Sequence, residues 1–272
     1  MDLVYEGFDK AIGSRWKTHL VGSGRLEAPG RSLRFITGGA SAGSYTNAQI
    51  DDYQGLPRSR FFWTPPLRLT VRARFSHPAG QLHGTAGFGF WNDPLLMTEK
   101  RLPALPRAVW FFYASMPSNM KLDMATPGHG WKAASIDAQR GSALLWAPMA
   151  PVLVPLMNLD PVYRAFWPRI QRTLHIGEAP IPVDMTQWHT YVLDWGSKYA
   201  QFSLGESDAQ SSSTILESPS PHGPLGFVMW QDNQYLQLTP WGRIKWGLLN
   251  TPEGQWMEVK KLQIQLGGDE PV

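Results

Sequence analysis

The sequence contains no cysteine among its 272 residues, which excludes disulfide bonds, zinc–thiolate sites and a cysteine nucleophile. Packing and hydrogen bonding alone must therefore hold the fold together. Clusters of one charge are also lacking, since 25 basic and 22 acidic residues are spread along the chain for a net charge of +3. Without a Lys/Arg cluster, the sequence predicts no nucleic-acid partner.

A targeting segment is not evident in the first ten residues, MDLVYEGFDK. They have neither a basic n-region nor an apolar h-region, which favours a cytoplasmic protein over one with a secretory signal.

Residues 142–174 are far more apolar than their surroundings, but prolines interrupt them repeatedly. An apolar run this short and broken cannot span a bilayer, so we expect short helices that form a cap at about residues 143–175. This cap is either a packed insertion or a lid over an apolar pocket. A contact with a membrane or second subunit is the weaker alternative, because Arg164, Arg169 and Arg172 make only a small basic face. As a lid, it would cover an aromatic strand with Leu145, Trp146, Met149 and Leu156.

Alternation of apolar and polar residues dominates the rest of the chain. It is clearest in residues 32–38, 44–51, 67–75 and 257–265. Such alternation is typical of half-buried antiparallel strands, and the 26 glycines and 23 prolines provide turns between them. The pattern predicts an all-β, two-sheet antiparallel sandwich that forms a single domain over residues 1–272.

Five segments carry a resemblance to a known family. They are WHTYVLDW (188–195), KYAQFSLGE (198–206), PLRLTVRARFSHPAG (66–80), GPLGFVMWQDNQY (223–235) and QWMEVKKLQIQL (255–266). Over roughly residues 60–266 the chain resembles the laminarinase-like (family 16) glycoside hydrolases of the concanavalin A-like lectin/glucanase superfamily. The resemblance implies a jelly roll with one concave sheet, whose cleft would bind the ligand.

The carboxylate strand of that family is the part that this sequence lacks. The family places its catalytic acids in a Glu-x-Asp-x-(x)-Glu strand, so that alternation brings all three to one face. The matching strand here is aromatic and runs from Val109 to Tyr113. Only Glu206-Ser207-Asp208 begins such a pattern, and its third carboxylate is missing. We therefore expect no hydrolysis of β-1,3/1,4-glucans by the family mechanism.

Alternation also selects candidate cleft residues on three strands. Asp51, Asp93 and Asp232 are the predicted acid/base catalysts, and Asp51, in the middle of its strand face, is the best candidate for a shifted pKa. Asp93 and Asp232 each have the alternative role of capping a turn at a strand end. The predicted ligand-binding residues are Tyr45, Asn47, Gln49, Trp91, Trp110, Phe112, Tyr113, Asn119, Lys121, Trp131, Trp230 and Asn233.

Thirteen tryptophans and an apolar cap favour a small, largely apolar ligand of the terpenoid, polyketide or lipid type. Acid/base isomerisation, cyclisation or hydration would fit such a site. The alternatives are a non-catalytic lectin-like module that binds carbohydrate or lipid, and a glycoside hydrolase with unorthodox catalytic residues.

No cofactor is expected, and the seven histidines show no metal-ligand spacing. The family resemblance implies at most a structural calcium near the termini, to which Asp2, Asp9 or Asp269 would contribute.

Overall fold

A computed structural model describes residues 3–8, 12–94, 102–141, 146–205 and 212–267. Within these ranges the chain forms two large antiparallel sheets, one two-stranded hairpin and two α-helices. This arrangement confirms the predicted all-β, two-sheet sandwich.

The first sheet contains eight of the described strands. In spatial order they are β13 (Ser212–Pro219), β12 (Tyr199–Gly205), β11 (His189–Trp195), β6 (Leu67–Phe75), β17 (Trp256–Leu266), β4 (Leu33–Ile36) and β3 (Arg25–Glu27), and β1 (Leu3–Glu6) also pairs with β17. Three of the alternating sequence segments form β4, β6 and β17, as predicted.

The second sheet contains seven strands and includes the fourth alternating segment, which forms β5. In spatial order the strands are β10 (Gly177–Pro180), β9 (Gly130–Asp137), β8 (Arg107–Ala114), β7 (Thr85–Trp91), β14 (Gly226–Asp232), β5 (Asn47–Asp51) and β2 (Lys17–Val21). Its strand β7 lies between β8 and β14, so that Gly87 is flanked by Phe112 and Trp230.

The core lies between the two sheets and is rich in aromatic rings. Phe88 and Phe111 of the seven-stranded sheet meet Tyr191 of the eight-stranded sheet with ring centroids 5.3 and 5.2 Å apart. All three are completely buried. Burying one such side chain contributes about 1.5–3 kcal/mol, so packing of this kind can hold the sandwich together without disulfides.

Two helices, α1 (Ala150–Leu156) and α2 (Asp160–Thr173), lie within the predicted helical segment. Each has a proline in its first turn, where the missing N–H is not needed for the helix. In α2, Asp160 in the first turn and Arg172 in the last complement the helix dipole.

The helices share an apolar cluster with the loop after β8 and with the hairpin of β15 (Gln234–Leu238) and β16 (Ile244–Leu248). Tyr163 and Trp167 contribute from α2, and Trp241 contributes from the hairpin turn. Within the described residues, no helix is long and apolar enough to cross a membrane.

The sequence-based placement of the lid residues is wrong at two positions. Met149 and Leu156 are exposed to solvent and therefore do not cover the aromatic strand. Trp146 packs in the helix cluster, and Leu145 lies outside the described residues.

Candidate functional site

The candidate site is the face of the seven-stranded sheet that points away from the sandwich core. We call it the aromatic face and define it by Trp91, Trp110, Phe112 and Trp230, with Val228 between them. These side chains form an apolar cluster separate from the core between the sheets.

The phase of strand β8, which its sequence left unreadable, is fixed by this separation. Val109, Phe111 and Tyr113 belong to the core, whereas Trp110 and Phe112 point to the aromatic face. Only half of this aromatic strand therefore contributes to the candidate site.

The rings of the aromatic face contact one another closely. Trp91 and Trp230 are nearly parallel, with an interplanar angle of 6° and centroids 6.3 Å apart. Trp110 stacks on Phe112 at 5.3 Å and lies 5.6 Å from Trp230. The four rings thus form a continuous aromatic layer.

Two glycines of β7 leave the space that this layer needs. A Cβ added at Gly87 would lie 3.0 Å from Cη2 of Trp230, and one at Gly89 would lie 2.6 Å from Cβ of Trp110. Gly89 also has φ +152°, a conformation that side chains rarely adopt. The Gly-x-Gly spacing in β7 therefore serves close packing of rings over the strand backbone.

Neighbouring loops enclose the aromatic layer on one side. Tyr53 and Phe61 pack against it, and the Tyr53 hydroxyl accepts a hydrogen bond from Nε1 of Trp91 at 2.8 Å. Trp91, Phe112 and Trp230 are only 7–9% exposed, while Trp110 remains half-buried. The site is therefore apolar and nearly closed, with Trp110 as its most accessible ring.

Asp232 lies at one margin of the aromatic face and is linked to it through Thr85. Nε1 of Trp230 donates to the Thr85 hydroxyl at 2.9 Å, and this hydroxyl donates to Oδ1 of Asp232 at 2.9 Å. The backbone N–H groups of Thr85 and Gln234 donate to the same Oδ1 atom. All three donors bind Oδ1, so protonation of Oδ2 does not require any of these hydrogen bonds to break. Burial raises the pKa of Asp232 to about 7.

Asp51 has a different environment, although it is also buried on this face. Its two carboxylate oxygens accept hydrogen bonds from the side-chain amides of Gln49 and Gln54 and from the backbone N–H groups of Tyr53 and Gln54. Burial raises the pKa of Asp51 despite these donors. Amide donors to both oxygens favour a role in holding the turn after β5.

Asp52, which sequence reasoning missed, is a further buried acid. It accepts hydrogen bonds from Nε1 of Trp63 and from the backbone N–H of Phe227, and burial raises its pKa to about 7. Asp52 directly follows β5 and alternates with the core residues Ala48 and Ile50. Strand alternation therefore assigned it to the core face and not to the cleft.

The three predicted catalytic carboxylates are not brought together. Asp51 pairs with Val228, four residues before Asp232, which places the two acids roughly 13 Å apart along the strands. Asp93 follows the opposite end of β7 from Thr85, at φ 47°, and its backbone carbonyl accepts a hydrogen bond from Arg58. This geometry supports the alternative role of Asp93, which is to cap a turn at a strand end. Paired glycosidase carboxyls lie about 5–9.5 Å apart, so the arrangement gives no support to an unorthodox glycosidase pair.

A buried ion pair occupies the margin opposite Asp232. Nζ of Lys132 lies 2.8 Å from Oε2 of Glu178, and both side chains are almost fully buried. Lys132 also donates to the carbonyls of Met120 and Pro127, while Glu178 accepts the backbone N–H of Leu122. The pair therefore fixes the loop after β8 against the sheet and supports the helices that pack on it.

Two predicted ligand residues lie in the core instead. The Tyr113 hydroxyl donates to the Leu82 carbonyl between the sheets, and Trp131 packs against Phe75 and Phe88 there. Strand parity points both side chains inward, and the successive aromatic residues of β8 hid this parity for Tyr113.

Other predicted ligand residues support loops. Asn233 is fully buried and donates to the carbonyls of Ser41, Ser44 and Leu249, and Asn47 donates to the His19 carbonyl. The backbone of Asn119 pairs with β15, and Lys121 is half-buried in the same loop. Tyr45 is half-buried beside Asp232, which together with burial raises the pKa of its hydroxyl.

Several sequence-based candidates lie outside the described residues. These are the Glu206–Asp208 segment and the calcium candidates Asp2, Asp9 and Asp269. Among the residues that are described, no group of three or more His, Cys, Asp or Glu side chains could hold a metal ion.

Comparisons with known proteins identify the fold. No protein-family model matches the sequence, and no curated protein is detectably similar to it. Solved structures do match. The exoplasmic/lumenal domain of VIP36 in its Ca²⁺/Man2-bound form superposes with a TM-score of 0.52 at 9% identity, covering 99% of this chain and 89% of that one. A prokaryotic β-1,3-1,4-glucanase (lichenase) from a mouse hindgut metagenome gives 0.51 at 11% identity, covering 97% and 99%.

These similarities extend over nearly the whole chain. They confirm the expected resemblance at the level of the fold. The chain has an all-β jelly-roll fold similar to the folds of this lumenal domain and this glucanase.

Proposed function

We propose that the aromatic face binds a small, largely apolar ligand. The observation that carries this proposal is the layer of four aromatic rings on the outward face of a sheet, where the fold does not need them for its core. A nearly closed surface of this composition favours an apolar partner, because few free polar groups remain at its centre to meet a hydrophilic one.

The polar end of the ligand would meet the margin formed by Thr85 and Asp232. A carboxyl with a pKa of about 7 is half-protonated near neutral pH and can give or take a proton there. Proton exchange of this kind suits an isomerisation, cyclisation or hydration step. Asp232 would act alone, since Asp51 and Asp93 lie far from it along the strands.

Carbohydrate binding without catalysis is the second candidate. The half-buried indole of Trp110 offers a stacking surface of the kind that sugars use. Two of the matching VIP36 structures are bound to mannose-containing glycans, and the matching glucanase is named for a glucan. These facts concern the neighbours and make glycans the necessary comparison in any binding experiment.

Native mass spectrometry of the purified protein, followed by tryptophan fluorescence titration, distinguishes the two candidates. We expect a co-purifying lipid or terpenoid, and quenching by apolar ligands but not by mannose or laminarin oligosaccharides. Trp110→Ala should weaken this binding by roughly tenfold or more, since one buried aromatic contact contributes ~1.5–3 kcal/mol.

Tyr199→Ala is the matched control, because Tyr199 is an exposed aromatic side chain on β12 of the other sheet, away from the aromatic face. Oligosaccharide binding that depends on Trp110 would replace the apolar proposal with the lectin-like one. Equal affinity of both variants for apolar ligands would show that the aromatic face is not the binding site. If turnover is found, Asp232→Asn should abolish it while leaving binding within about threefold.

A further inference from the structure

The outer side of α1 is apolar and has no partner within the described residues. Four apolar residues are spaced at intervals of three, four and three positions, which places them on one side of the helical segment. They are Met149, Val152, Leu156 and Leu159. All four are exposed, and Val152 reaches 66%. The opposite side already packs Leu153 into the helix cluster. An apolar stripe therefore remains in solvent after the helix has packed.

The hairpin of β15 and β16 presents a second exposed apolar group. Ile244 is 72% exposed and Trp246 is 68% exposed. They alternate on β16 and share one side of the hairpin, and Ile244 pairs directly with the exposed Leu238. Side chains of this size and exposure are unusual for a face that meets only water.

These two groups are neighbours in space. The side-chain amide of Asn158, just after α1, donates to the carbonyl of Trp241 in the hairpin turn. A Cβ added at Gly242 would lie 2.7 Å from Cγ1 of Val154 in α1. Helix α1 and the hairpin turn are thus in contact, and we call the stripe on α1 and the exposed side of the hairpin together the docking surface.

The two segments that form the docking surface, and the helix α2 that follows α1, carry mostly positive charges. Residues 141–159 contain no charged side chain, and residues 233–252 contain only Arg243 and Lys245, both exposed. Helix α2 adds Arg164, Arg169 and Arg172 on its exposed side, and its only acid, Asp160, is paired with Arg164. Five cations therefore accompany one anion.

We propose that the docking surface lies on an anionic lipid membrane. Apolar side chains and a tryptophan would enter the boundary between headgroups and acyl chains, while the flanking cations would meet anionic headgroups. A symmetric contact with a second copy of the chain would bring these cations against each other. Because no described helix can cross a bilayer, the protein would lie on the surface, and this proposal does not depend on which ligand the aromatic face binds.

Flotation of the intact protein with vesicles tests the proposal. Phosphatidylcholine vesicles with and without about 30 mol% phosphatidylserine supply the anionic and neutral surfaces. We expect the protein to float with the anionic vesicles and to be released by high salt, since the headgroup attraction is screened. Absence of flotation, or equal flotation with both kinds of vesicle, would overturn the proposal.

Three variants at exposed positions locate the contact. Val152→Asp with Trp246→Ala should lower partitioning about tenfold through lost apolar burial. Arg243→Glu with Lys245→Glu should lower it at least tenfold, at about fivefold for each charge removed. The control, Lys198→Glu with Tyr199→Ala, changes an exposed cation and an exposed aromatic residue at the turn between β11 and β12.

The control should partition like the unaltered protein, and circular dichroism should show all three variants folded. Unchanged partitioning of both docking-surface variants would refute the assignment. So would a dimer, measured by sedimentation, that Val152→Asp converts to a monomer, because a second copy would then cover this surface.

Discussion

The two faces of the seven-stranded sheet are both aromatic, yet they are organised differently. Phe111 and Phe112 are consecutive in β8 and point to opposite faces. Phe111 is completely buried and contacts Tyr191 and Phe202 across the sandwich. Phe112 keeps a small exposed fraction and contacts Trp110 and Trp230 on its own sheet.

The difference shows what each face requires. Core rings such as Phe111 meet partners from a second sheet, and close packing of complementary shapes fixes them. Rings of the aromatic face lack an opposing sheet, and side-chain hydrogen bonds fix two of them instead: Trp91 through Tyr53, and Trp230 through Thr85. An apolar surface held in place in this way is suited to receive a ligand.

The largest expected effect comes from truncating the two neighbouring phenylalanines. Phe111→Ala should lower the free energy of unfolding by about 3–5 kcal/mol, because the core cannot collapse around the cavity. Phe112→Ala should lower it by only about 1–3 kcal/mol, since the aromatic face borders solvent. Urea denaturation of both variants measures the difference. Equal losses would mean that the aromatic face is a second core and not a binding surface.

A smaller effect is expected from the pH dependence of stability. Because burial raises the pKa of Asp232 to about 7, the folded protein binds more protons than the unfolded chain between about pH 4 and pH 7. Stability should therefore fall as the pH rises through this window, by up to about 4 kcal/mol for this one group, and should level off above it.

Asp232→Asn imitates the protonated acid and retains an Oδ1 atom for the three donors. It should match the unaltered protein near pH 4 and become progressively more stable than it towards pH 8, as measured by denaturation at pH 4, 5 and 8. Asp52, whose pKa is also raised to about 7, should account for part of the remaining slope, so the double variant with Asp52→Asn should be flatter still. A slope unchanged by either substitution would contradict this origin.

The smallest effect is expected from Thr85→Val, which keeps the shape and removes the hydroxyl between Trp230 and Asp232. Loss of these hydrogen bonds should lower the free energy of unfolding by about 1–3 kcal/mol. The loss should be larger at pH 8 than at pH 5, because the ionised form of Asp232 loses a donor. Denaturation at both pH values, compared with the control Thr18→Val at an exposed position of β2, measures it. Equal losses at both would indicate that the hydroxyl serves Trp230 alone.

Local patterns in the sequence determined much of the fold. The alternation in residues 32–38, 44–51, 67–75 and 257–265 predicted strands, because a half-buried strand exposes every second residue to the core. The prolines of residues 142–174 predicted short helices in place of one long helix. Alternation also assigned Trp91, Trp230 and Asp232 to the strand face opposite the core, and Trp91 and Trp230 pack together on that face.

Tertiary structure decided the rest. Strand β8 is aromatic at successive positions, so alternation could not separate Trp110 and Phe112 from Tyr113, and only the opposing sheet shows which side is the core. Asn47 and Asn233 were predicted to bind the ligand, but their side-chain amides donate hydrogen bonds to nearby backbone carbonyls. Asp51 and Asp232 shared a predicted face, yet strand register sets their distance apart, and register depends on pairing with strands remote in the sequence.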